Sequence, residues 1–99
     1  MEFTDLYING EWHKTSDRFD VINPATEEVL ASVASADIAD ADAALDAAEA
    51  AMKDWAARTP RERSEVLRKA WELMTARLDH FANLITLENG KAGVDAKGE

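Results

Sequence analysis

The chain has 99 residues, of which 46% are hydrophobic and none is cysteine. Lys and Arg total 11, Asp and Glu total 20, and the net charge is −9. That size allows one small domain with a limited core. That charge excludes a phosphate-backbone binder and opposes attraction to anionic lipid, so neither nucleic acid nor membrane is an expected partner. Without cysteine these residues hold no disulfide, no thiolate metal site and no cysteine nucleophile. The same lack suits a reducing, cytoplasmic setting. Met1-Glu2-Phe3-Thr4-Asp5 is acidic and has no apolar run, which argues against a signal peptide. No apolar stretch nears the roughly 18–20 residues of a membrane span.

Leu6-Tyr7-Ile8-Asn9-Gly10-Glu11-Trp12 is a hairpin signal, because Asn-Gly supplies the two positive-φ positions of a type I′ turn. His13 to Arg18 reads as a loop and Phe19-Asp20-Val21-Ile22 as a short strand. Asn23-Pro24-Ala25-Thr26 is turn chemistry, and Val29-Leu30-Ala31-Ser32-Val33 a further strand, so a second hairpin is predicted. Helix begins after Ser35 or Asp37, either of which can cap it. Ile38, Ala41, Leu45, Ala48, Met52 and Trp55 then recur at three- and four-residue spacing. Thr59-Pro60-Arg61-Glu62 opens a second helix, with a capping Thr, Pro at the first helical position and Glu at the third. Its apolar stripe runs through Val66, Leu67, Ala70, Trp71, Met74, Leu78, Phe81, Ala82 and Ile85 to a left-handed cap at Asn89-Gly90. A helix from Pro60 to Glu88 is long for a globular protein, which leaves room for a break near Asp79. Residues 91–99 can start another helix. The predicted fold class is α+β: two short hairpins, then two long amphipathic helices. Residues 1–34 form a hairpin head and 35–99 a helical body, together a single unit.

Candidate chemistry is sparse. His13 and His80 have no partner at ligand spacing, and a surface histidine is the ordinary account of each. Asp40, Asp42 and Asp46 lack the sharp-turn Gly and bidentate Glu of a calcium loop and read as a solvated helix face. Gly10, Gly90, Gly93 and Gly98 form neither a dinucleotide nor a phosphate loop. Trp12, Trp55 and Trp71 sit at amphipathic positions and read as packing residues rather than base-stacking platforms. Lys91 reads as a helix-end lysine rather than an anion ligand.

The order of the blocks carries more information than any one of them. Residues 6–12, Phe19 to Ala31, the alanine-rich helix ending at Trp55, Thr59-Pro60-Arg61-Glu62-Arg63, Val66 to Met74 and Leu84-Ile85-Thr86-Leu87-Glu88-Asn89-Gly90-Lys91 together resemble the start of an aldehyde dehydrogenase. Leu87 to Lys91 and Asp95-Ala96-Lys97-Gly98-Glu99 look most like the succinate-semialdehyde dehydrogenase branch. The resemblance implies an N-terminal fragment of a longer α/β enzyme, in the region of its coenzyme-binding domain. Such enzymes oxidise an aldehyde to the acid with NAD or NADP through a cysteine thioester, usually as oligomers. The family's cysteine, glutamate base and coenzyme loops then lie outside these residues, so the segment alone is expected to be inactive and to bind no coenzyme. Expected partners are the small aldehyde, the remainder of the enzyme and further copies of it.

One site transfers by resemblance. Many family members hold a monovalent cation with a backbone carbonyl just before the Asn-Pro turn and an acid in the Leu-Glu-Asn-Gly-Lys block. Here these match Val21 or Ile22, and Glu88. Oxygen donors suit a hard cation, and an exposed acid near a helix end is the other account of Glu88. Beside the enzyme reading stands a second class of function, a standalone acidic helical module that binds a partner protein.

Overall fold

The computed structural model describes residues 3–99. Two strand pairs come first. β1 (Leu6–Ile8) and β2 (Glu11–His13) are antiparallel, with Tyr7 opposite Trp12. Asn9 at φ 52° and Gly10 at φ 82° make the tight reversal that the Asn-Gly pair predicts. β3 (Arg18–Ile22) pairs with β4 (Val29–Ala34). In the connection the Ala25 N–H donates to Asn23 Oδ1 at 2.9 Å, and the Glu27 N–H donates to the Asn23 carbonyl at 2.8 Å. Glu27 itself takes φ 61°.

Four helices follow: α1 (Ile38–Ala57), α2 (Pro60–Thr75), α3 (Leu78–Asn89) and α4 (Gly93–Gly98). Asp37, not Ser35, caps α1. It accepts from the Asp40 N–H at 2.9 Å, while its own N–H donates to Asp40 Oδ2 at 3.0 Å. Thr59 and Glu62 make the same reciprocal pair at α2, with Pro60 in the first turn.

The long second helix is divided at Ala76-Arg77, a little before Asp79. The Thr75 hydroxyl donates back to the Trp71 and Glu72 carbonyls at 2.9 and 3.2 Å. The Arg77 N–H closes a tighter turn onto the Met74 carbonyl at 3.0 Å. Side-chain back-bonding of this kind competes with the regular ladder. With no Pro or Gly nearby, the sequence pattern carries little sign of the break.

The contacts define two units. One comprises residues 1–21 and 31–58, the other residues 22–30 and 59–99. In the first, Arg18 ties the chain before β1 to β4. Its guanidinium donates to Asp5 Oδ1 at 2.9 Å, the Thr4 carbonyl at 3.2 Å and the Ser32 carbonyl at 2.8 Å. Phe3 and Trp12 stack at 5.1 Å, and Tyr7 joins Trp12 at 4.8 Å. Small side chains Ala44, Ala47 and Ala51 let the first hairpin approach α1.

In the second unit α4 packs on α3. Ala82 and Ala96 are the buried hydrophobic residues. On α2, Arg68 pairs with Glu65 at 2.8 Å and also with Glu72. The hydrogen bond and charge of Arg68 hold the Glu65 carboxyl below its ordinary range, and the hydrogen bond and charge of Glu65, with the charge of Glu72, raise the guanidinium's pKa. Gly90 ends α3 at φ 76°, and its N–H donates to the Thr86 carbonyl at 2.9 Å. A Cβ at Gly90 would stand 3.2 Å from Cγ of Pro24.

Two outcomes follow from these ends. Thr59→Ala removes the hydroxyl that accepts from the Glu62 N–H, leaves the backbone bond to the Glu62 carboxylate, and costs about 1 kcal/mol, read as a lower urea midpoint of the 222 nm signal. Gly90→Ala forces a left-handed alanine against Pro24, and costs about 1–2 kcal/mol in the same assay.

Candidate functional site

The transferred cation ligands sit at the edges of known elements. Val21 and Ile22 are the last residues of β3, and Glu88 is in the last turn of α3. Val21 is half-buried, whereas Ile22 and Glu88 are exposed. Ile22 and Glu88 belong to the same unit, and Val21 belongs to the other. Within that shared unit the Asn23-Pro24 turn meets the end of α3 at Gly90, two residues past Glu88. A backbone carbonyl and a carboxylate are the hard oxygen donors that an alkali cation takes. Among the described residues no cluster of three or more His, Cys, Asp or Glu could hold a metal.

The histidines behave as their spacing suggests. His80 lies edge-on to Phe81 at 5.6 Å, and His13 ends β2. Of the tryptophans, Trp12 stacks in the hairpin while Trp71 is 64% exposed. Lys91 bonds Glu99 at 2.5 Å rather than the carbonyls of α3. No helix among the described residues is long and apolar enough to cross a membrane.

Both units expose large apolar side chains. In the second, Trp71, Met74, Leu78, Phe81 and Ile85 line a groove of about 470 Å³ with Glu88 at its edge. In the first, Leu45, Met52 and Trp55 line an open trough on α1. The Nε of Arg63 is buried without an acceptor. A buried N–H left so costs about 1–3 kcal/mol, which native proteins avoid by supplying a partner. The sequence pattern gave no sign of this arginine or of the Arg18 tie, because both depend on which backbone oxygens the fold brings near.

These elements and their order match a known family. The aldehyde dehydrogenase family profile matches residues 12–99. The NADP-dependent succinate-semialdehyde dehydrogenase of Saccharomyces cerevisiae is 44% identical over 94 residues, which cover 94% of this chain and 19% of that enzyme. The glutarate-semialdehyde dehydrogenase of Pseudomonas putida is 43% identical over 95 residues, 94% of this chain and 20% of that enzyme. An NADP-dependent enzyme of Escherichia coli superposes with a TM-score of 0.93 at 40% identity, over 96% of this chain and 20% of its own. The chain thus spans about a fifth of the length of the relatives it matches. With the profile spanning nearly the whole sequence and the fold reproduced element by element, the chain belongs to the aldehyde dehydrogenase family.

Proposed function

We propose that these residues are part of a cytoplasmic, oligomeric NAD(P)-dependent dehydrogenase that oxidises succinate semialdehyde to succinate. The observation that carries the reading is the 44% identity to a succinate-semialdehyde dehydrogenase along 94 residues. Glutarate semialdehyde, one carbon longer, is the neighbouring substrate suggested by the second relative. The hairpins 1–34 and the helices 35–99 act as one piece of the coenzyme-binding region. They contribute support rather than chemistry.

The residues here do not fit the coenzyme. Four glycines in no phosphate-binding spacing offer no cradle for a pyrophosphate. Nor is there a cysteine to attack the aldehyde carbon. We therefore assign the reacting groups to the remainder of the enzyme and expect the 99 residues alone to be inactive. The open groove along Trp71, Leu78 and Phe81 supports this reading, because contiguous exposed apolar surface is where a neighbouring surface packs.

The full-length enzyme should reduce NAD or NADP at 340 nm with succinate semialdehyde, and the 99-residue chain should not. A rate above background from the chain alone would remove the supporting role. Activity of the whole enzyme confined to unrelated aldehydes would remove the substrate.

The carbonyl of Val21 or Ile22 and the Glu88 carboxylate are proposed as two ligands of a monovalent cation in the whole enzyme. Saturating K⁺ or Na⁺ should then raise its melting temperature, since a ligand held only by the folded state stabilises it. Glu88→Gln should abolish that rise. An undiminished rise would show that Glu88 is no ligand.

A further inference from the structure

Asn-Gly occurs twice in the chain, at residues 9–10 and 89–90. The pair is reactive as well as flexible. The glycine's backbone nitrogen can attack the asparagine Cγ, and a residue without a side chain leaves that approach open. The other asparagines lack this chemistry. Asn23 precedes Pro24, whose nitrogen carries no hydrogen, and Asn83 precedes the bulky Leu84. The two Asn-Gly pairs differ in what holds the glycine. The Gly90 N–H donates to the Thr86 carbonyl at 2.9 Å in the last turn of α3, and a Cβ there would stand 3.2 Å from Pro24 Cγ. Among the described residues the Gly10 N–H has no hydrogen-bond partner, and apart from its chain neighbours nothing lies within 4 Å of where a Cβ would stand.

Asn9 is left-handed at φ 52°, and in that region the next nitrogen stands roughly opposite Cβ across the Cα–C bond. Ring closure therefore needs a rotation about that bond, which undoes the turn. Little resists it locally. β1 and β2 are three residues each in a two-stranded pair, and such pairs are marginal by themselves and open at low free energy. The same rotation at Asn89 breaks the end of α3 and moves Gly90 from its place beside Pro24. We propose that Asn9-Gly10 is a site of spontaneous backbone modification gated by opening of the first hairpin, while the fold holds Asn89-Gly90 unreactive. The Gly10 nitrogen gives up its proton to water and bonds Asn9 Cγ; the Cγ–Nδ2 bond breaks and ammonia leaves. Water then opens the cyclic imide. Attack at Cγ leaves aspartate, and attack at the Asn9 backbone carbonyl leaves isoaspartate, whose chain runs through the side chain. Nothing is oxidised or reduced. The isoaspartyl chain carries an extra backbone carbon, so the two-residue turn that sets Tyr7 opposite Trp12 no longer closes, and the hairpin loses its seat on Ala44, Ala47 and Ala51. The reaction uses residues 9 and 10 and water alone, and so rests on neither the aldehyde, the coenzyme nor any uncovered surface.

The test follows the whole enzyme, folded in mildly alkaline buffer, by peptide mapping with fragmentation that separates aspartate from isoaspartate. Residue 9 should convert about tenfold or more faster than residue 89, a barrier difference of about 1.4 kcal/mol. In denaturant the two sites should convert at similar rates, because the same dipeptide is then free of its fold. Trp12→Ala removes the ring that Phe3 and Tyr7 pack against. It should speed conversion at residue 9 several-fold and leave residue 89 unchanged, with circular dichroism confirming that the variant stays folded. No conversion at residue 9 of the folded enzyme, or conversion at residue 89 as fast, would overturn the proposal. So would a difference that persists in denaturant, or a rate at residue 9 that a folded Trp12→Ala enzyme leaves unchanged.

Discussion

Everything after residue 36 depends on where two helices start, and a pair of reciprocal side-chain bonds decides that. At Asp37 and again at Thr59, an oxygen takes up the amide three residues on, and the acid at that position returns the favour. Shifting either start by one residue would rotate the apolar stripe by about 100°. Leu45 and Met52 would then face a different side, and Trp71 and Met74 would leave the groove they share with α3. With Ala82 and Ala96 as the buried hydrophobic residues, little packing is available to correct such a slip. Local hydrogen bonding therefore does what a core does in a larger domain.

Those devices are also what made the fold legible. Asn9-Gly10, the Asn23-Pro24 turn, Thr59-Pro60 with Glu62, and Asn89-Gly90 each act through residues next to one another, and each appears in the structure at the place read from the sequence. The break at Ala76-Arg77 was less legible because no Pro or Gly marks it, and the Thr75 hydroxyl beside it makes bonds that any regular helix could carry. Long-range geometry was illegible for a similar reason. Arg18 finds two backbone carbonyls fourteen residues away on either side, and no spacing rule encodes which oxygens a strand pair will present.

The candidate cation ligands were legible only through family resemblance. Glu88 is one acid among 20, and nothing in its local pattern separates it from Glu72 or Asp79. What distinguishes it is that the Asn23-Pro24 turn lies against Gly90, so a strand end and a helix end share one unit. The apolar faces teach a related lesson. Their periodicity predicts helices correctly but is silent on whether the stripe meets its own chain or another, and most of the large apolar side chains on α1 and α2 remain exposed.

The Arg18 tie has a consequence for synthesis. Its three acceptors, in Thr4, Asp5 and Ser32, all precede α1 in the chain. On a ribosome adding about 5–20 residues per second, they clear the exit tunnel before α1 does. The two strand pairs can be pinned together while α1 is still inside the tunnel, so the alanine face of that helix emerges onto a hairpin already in place. The unit would then assemble in chain order, with a guanidinium as its first fastener.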